Sequence, residues 1–100
     1  MSDNMKKIQA LENKYGLILF GMGLTQLMDV GMNNLGDDAL EDNLNQVTAQ
    51  DEAERASGIH PVMTLDFKCE IIRCATELAK FTPFTLFAYI KNHMHIAKGE

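Results

Sequence analysis

The chain has 100 residues, enough for one hydrophobic core but few enough that an elaborate catalytic cleft would compete with that core for side chains. Apolar residues at 46% and charged residues at 23% exclude wholesale disorder and low-complexity structure. The net charge of −5 is unevenly placed: residues 1 to 28 and 59 to 100 are each +1 and residues 29 to 58 are −7, a pattern that argues against direct binding of phosphate backbones.

Ser2 or Asp3 can cap a first helix, expected over residues 3 to 35. Its stripe Ile8, Leu11, Tyr15, Ile18, Met22 and Val30 recurs at helical spacing and marks the core face. From Leu17 a second stripe, Leu17, Phe20, Gly21, Leu24, Met28, Gly31 and Leu35, runs along roughly the opposite side. Gly16, Gly21, Gly23 and Gly31 each cost about 1 kcal/mol relative to alanine in a helix interior, which predicts close approach of another backbone. The rival is that Gly16 or Gly23 kinks or ends the helix and that residues 17 to 20 form a short strand.

Asn33, Asn34 and Gly36 predict a stop and a turn, after which Asp37 or Asp38 can cap a weak acidic helix over residues 38 to 56. That helix carries only the narrow stripe Leu40, Leu44 and Val47 and is the least stable element, ordering fully when a partner covers it. Pro61 is suited to open a third helix, over residues 61 to 81, because its missing N–H has no helical partner there. Its two apolar faces, Phe67, Ile71, Cys74, Leu78, Phe81 and Leu65, Cys69, Ile72, Ala75, Ala79, place it at the centre of the fold. The remaining wedge is spaced for ion pairs of Glu70 with Arg73, Arg73 with Glu77, and Glu77 with Lys80. Thr82 and Pro83 end that helix and begin the last, over residues 83 to 98. It too has two apolar sides, Phe87, Ile90, Met94, Ala97 and Leu86, Tyr89, His93, Ile96. The expected fold is an all-α bundle of three strong helices and one weak acidic helix, a single domain from residue 1 to 100.

No catalytic or cofactor signature stands out. His60, Cys69, Cys74, His93 and His95 are candidate metal ligands, but no pair has the i, i+4 or C-x-x-C spacing of a zinc site. Cys69 and Cys74 sit on apolar stripes, where a thiol is inert. Gly21-Met22-Gly23 lacks the further glycine of a dinucleotide loop, and the acidic run lacks the ligand alternation of a calcium loop. No metal or cofactor is expected. Ser2, Asp3 and Asn4 precede Lys6 and Lys7 without a cleavable leader pattern, and Thr25, Gln26 and Asp29 interrupt the apolar stretch from Leu17, so a cytoplasmic protein without a membrane helix is expected.

Apolar surface in excess of what one bundle covers points to a partner. The first expectation is a non-enzymatic interaction module, a small protein of the phage or accessory-element type. It forms a homodimer through Leu17, Phe20, Gly21, Leu24, Met28 and Gly31, and it binds and modulates a larger protein. The alternative is an acidic nucleic-acid mimic that blocks a DNA- or RNA-binding enzyme through Asp37, Asp38, Glu41, Asp42, Asp51 and Glu52. A third reading is a small-ligand pocket between helices, lined by methionine and phenylalanine.

Overall fold

The computed structural model describes residues 3 to 97, with side chains to residue 92. Among the described residues the chain forms five α-helices and no strand: α1 (Asp3–Tyr15), α2 (Leu17–Val30), α3 (Leu40–Ala56), α4 (Leu65–Leu78) and α5 (Pro83–Ala97). Two short 3₁₀ turns, Met32–Leu35 and Asp37–Ala39, link α2 to α3. The all-α bundle expected from the sequence is what forms.

The helix expected over residues 3 to 35 is instead two helices. Gly16 takes φ 88°, a left-handed conformation that other residues adopt only at a cost. Its N–H donates to the Glu12 carbonyl at 2.8 Å, and its own carbonyl accepts from Phe20 N–H at 2.9 Å. One glycine therefore closes α1 and opens α2, and the break re-phases the apolar stripe. α1 buries Ile8. α2 buries Leu19, Phe20, Gly23 and Leu27, so Ile18, which continues the α1 stripe by spacing alone, stands 76% exposed. No strand forms at residues 17 to 20, which open α2. A second left-handed glycine, Gly31 at φ 82°, ends α2, and its N–H donates to Leu27 O at 2.9 Å. Leu35, in the first 3₁₀ turn, then drops fully into the core.

α4 begins four residues later than Pro61 suggests, because Thr64 supplies a better cap: its hydroxyl accepts from Phe67 N–H at 3.2 Å. Pro61 stays in the preceding loop. The central position expected for this helix is confirmed: Cys74, Ala75 and Leu78 are wholly buried, and α2 and α3 both pack on it. The buried Thr76 hydroxyl is satisfied by Ile72 O at 2.8 Å. Of the expected surface ion pairs, Glu70 with Arg73 forms at 2.7 Å. Glu77 turns instead to α1, where it accepts from the Tyr15 hydroxyl at 2.6 Å and meets Lys14 at 3.5 Å, and Lys80 reaches Asp37 at 3.5 Å. Tertiary partners replaced neighbours along the helix.

Thr82 caps α5 by accepting from Thr85 N–H at 3.1 Å. α5 turns Leu86 and Tyr89 inward, leaving Phe87 outside. The Tyr89 ring meets Phe20 edge-on at 6.1 Å, and its hydroxyl donates to Gln9 Oε1 at 2.8 Å. α5 thus leans on α1, and its backbone stands off from α2.

Candidate functional site: an apolar groove between α2 and α5

The stand-off leaves a groove of about 320 Å³ along the seam of α2 and α5. Buried Leu27 and Leu86 form its floor. Leu24, Met28, Gly31 and Met32 make one wall, and Pro83, Phe87 and Ile90 make the other. Nothing in this lining carries a charge. Met28 is 83% exposed and Phe87 69%, and Phe84, three residues before Phe87 on α5, is 81% exposed. Scattered apolar side chains are ordinary on a protein surface, whereas large ones collected along a groove mark a contact site.

The groove has a cause in the sequence. On α2 the burial centres on Leu19, Phe20, Gly23 and Leu27, and the flank Leu17, Gly21, Leu24 and Met28 falls at its edge, where α5 does not close over it. Among the six expected dimer residues, Leu17, Gly21, Met28 and Gly31 are exposed and Leu24 is half-buried. Phe20 is a correction. It is only 3% exposed and belongs to the core against Tyr89, because the break at Gly16 rotates it inward.

Only one of the four glycines answers the expectation of close helix approach. A Cβ on Gly23 would lie 2.9 Å from Cys74 Sγ, so α2 and α4 meet closely at Gly23. A Cβ on Gly21 would meet nothing within 4 Å, and Gly16 and Gly31 serve as helix stops.

The acidic segment divides. Asp37, Asp38, Glu41, Asp42 and Glu52 are exposed, and Asp37 or Asp38 caps nothing through its side chain, since they form the second 3₁₀ turn. Asp51 is the second correction: it is 3% exposed and bound to Arg55 Nε at 2.8 Å and Lys68 Nζ at 2.9 Å. Hydrogen bonds from Arg55 and then Lys68 hold its carboxyl below its ordinary pKa of 3.8. A depressed folded-state pKa means that the pairing stabilises above that ordinary value and is lost as pH falls through the folded one. Asp51→Asn is therefore expected to lower the melting temperature by several degrees at neutral pH, read by thermal denaturation. The gap to the unaltered chain should close below pH 3.8; a gap that stays constant into acid would contradict the pairing.

Three further reactive groups, Cys74, Tyr89 and Tyr15, are held protonated. Burial first, then Glu77 and Glu70, pushes the Cys74 thiol up to about 12, so it stays protonated at neutral pH. Tyr89 is pushed up to about 12 by burial and by Glu12, and Tyr15 is raised by burial and by its bond to Glu77. Among the described residues no three His, Cys, Asp or Glu side chains gather as metal ligands would. The side chains of His93 and His95 lie outside the described residues. In a more polar hollow of about 500 Å³ near Lys7, Glu77 and Lys80, Glu77 is engaged with Tyr15 and Lys14, and Lys80 with Asp37.

No protein family model, curated protein or solved structure matches this chain. Among the described residues no helix is long and apolar enough to cross a membrane.

Proposed function

We propose that this protein is a non-enzymatic interaction module of the small phage or accessory type, cytoplasmic, that self-associates through the α2/α5 groove and, as a homodimer, modulates a larger protein. The observation that carries the reading is the groove itself, uncharged in its lining and flanked by Met28, Phe84 and Phe87. A standard interface takes about 800 Å² from each partner, of which roughly 60% is apolar. Leu17, Met28, Phe84 and Phe87, at their exposures, offer on the order of 500 Å² along this edge. A second copy brings the same surface, and two like grooves facing across a twofold axis satisfy each other. Light scattering over a concentration series tests the reading: a dimer is expected, and a monomer at every concentration overturns it.

A second reading rests on the exposed cluster Asp37, Asp38, Glu41 and Asp42 at the start of α3, which suits mimicry of a phosphate row. Salt separates the two. Capture of a partner by these carboxylates weakens by roughly tenfold or more between low and moderate salt and is lost on charge reversal, whereas groove-led binding resists both. A third occupant, a small apolar ligand, would raise the melting temperature of the isolated protein in proportion to its affinity.

A further inference from the structure

Of the seventeen residues of α3, the one that is buried is a carboxylate, Asp51. The rest of its inner face, Leu40, Leu44, Val47 and Glu54, is only half-buried. Its backbone packs on α4 and on the 3₁₀ turn before it, while the larger α2–α4 interface and the α1 contacts are formed without it. Gly36 and Gly58 flank it. Between α3 and α4, Val47, Gln50 and Glu54 border the same hollow as Ile71 and Ile72, which are 8% and 5% exposed.

We propose that α3 is a hinged cover, locked to α4 by the Asp51–Lys68 ion pair, which undocks as a unit and bares a second apolar surface at Ile71 and Ile72 while the other four helices stay folded. The charges facing Asp51 are Arg55 from its own helix at 2.8 Å and Lys68 from α4 at 2.9 Å, with Glu54 also on Lys68 at 3.8 Å. Undocking returns Asp51 and Lys68 to water and restores their hydration, which offsets part of what the pair contributes to holding α3 down. The apolar area that resists is that of Ile71 and Ile72 and of the half-buried Leu40, Leu44 and Val47. The device is separate from the α2/α5 groove and stands whether or not that groove dimerises.

Native-state hydrogen exchange on the full chain tests this. Amides of residues 40 to 56 should exchange at least about tenfold faster than those of α2 and α4, through an opening that denaturant promotes less steeply than global unfolding. Asp51→Asn leaves Lys68 short of its partner only in the docked state, so α3 exchange should rise by about another tenfold, while α2 and α4, which unfold globally from the same weakened state, should rise by no more than that factor and stay slower than α3. Protection in α3 equal to that in α4 in the unaltered chain, or α3 exchange unmoved in the variant, would overturn the proposal. Where the variant does not fold, the denaturant series on the unaltered chain decides.

Discussion

Replacing Phe87 with glutamate is expected to leave the helical fold in place and to weaken self-association by about a hundredfold or more. The side chain is 69% exposed, so the subunit loses almost no packing, and substitutions at such positions usually fall within about 0.5 kcal/mol of neutral. The same position lines the groove beside Met28 and Leu24, and in the proposed dimer a carboxylate there has no cationic partner in the lining. Burying an unpaired charge costs several kcal/mol, and each 1.4 kcal/mol is about a tenfold change in affinity. Circular dichroism and sedimentation equilibrium on the one sample separate the outcomes. Unchanged association in a folded variant removes the groove from the interface, and Phe84→Glu then tests the adjoining surface.

The second large effect is expected at Gly23. A leucine there drives into Cys74, which is wholly buried, where α2 and α4 come close. Overpacking a filled core costs about 1–3 kcal/mol and sometimes more, and the gain of up to about 1 kcal/mol from replacing a helical glycine offsets only part of it. Net destabilisation of about 2 kcal/mol lowers the melting temperature of a chain this size by roughly 10 °C. Gly21→Ala is the control on the same helix. With nothing within 4 Å of the new methyl, it should stabilise the subunit by up to about 1 kcal/mol. Gly21→Leu should spare the subunit and impair association, since Gly21 lies on the exposed flank with Leu17 and Met28. Urea denaturation across the four proteins would refute this account if Gly23→Leu and Gly21→Leu behaved alike.

Much of the architecture is legible from spacing alone. The faces of α4 and α5, the acidic α3 and the cap at Thr82 all follow from periodicity and local hydrogen-bonding chemistry, which need no knowledge of distant partners. The candidate groove is partly legible as well. Its α2 wall takes Leu24, Met28 and Gly31 from the second stripe, and its α5 wall starts from Phe87 and Ile90, the side opposite Leu86 and Tyr89. Phe20 is misplaced by the same reading. Periodicity assumes one continuous helix, and a glycine permits the left-handed turn at residue 16 without requiring it. Once the phase shifts, Phe20 moves to the core and Ile18 to the surface. Asp51 is misread for a related reason: a carboxylate among carboxylates reads as solvated, and its burial is made tolerable by Arg55 together with Lys68, seventeen residues away.

The order of apolar and polar residues by itself determined that this chain is helical, which helix lies at its centre, and that greasy side chains outnumber the places one subunit has to hide them. Tertiary structure alone decided which of those side chains stay outside. That choice turns on helix phase across Gly16, on the approach of α2 to α4 at Gly23, and on the lean of α5 toward α1, all set by contacts between residues far apart in the chain.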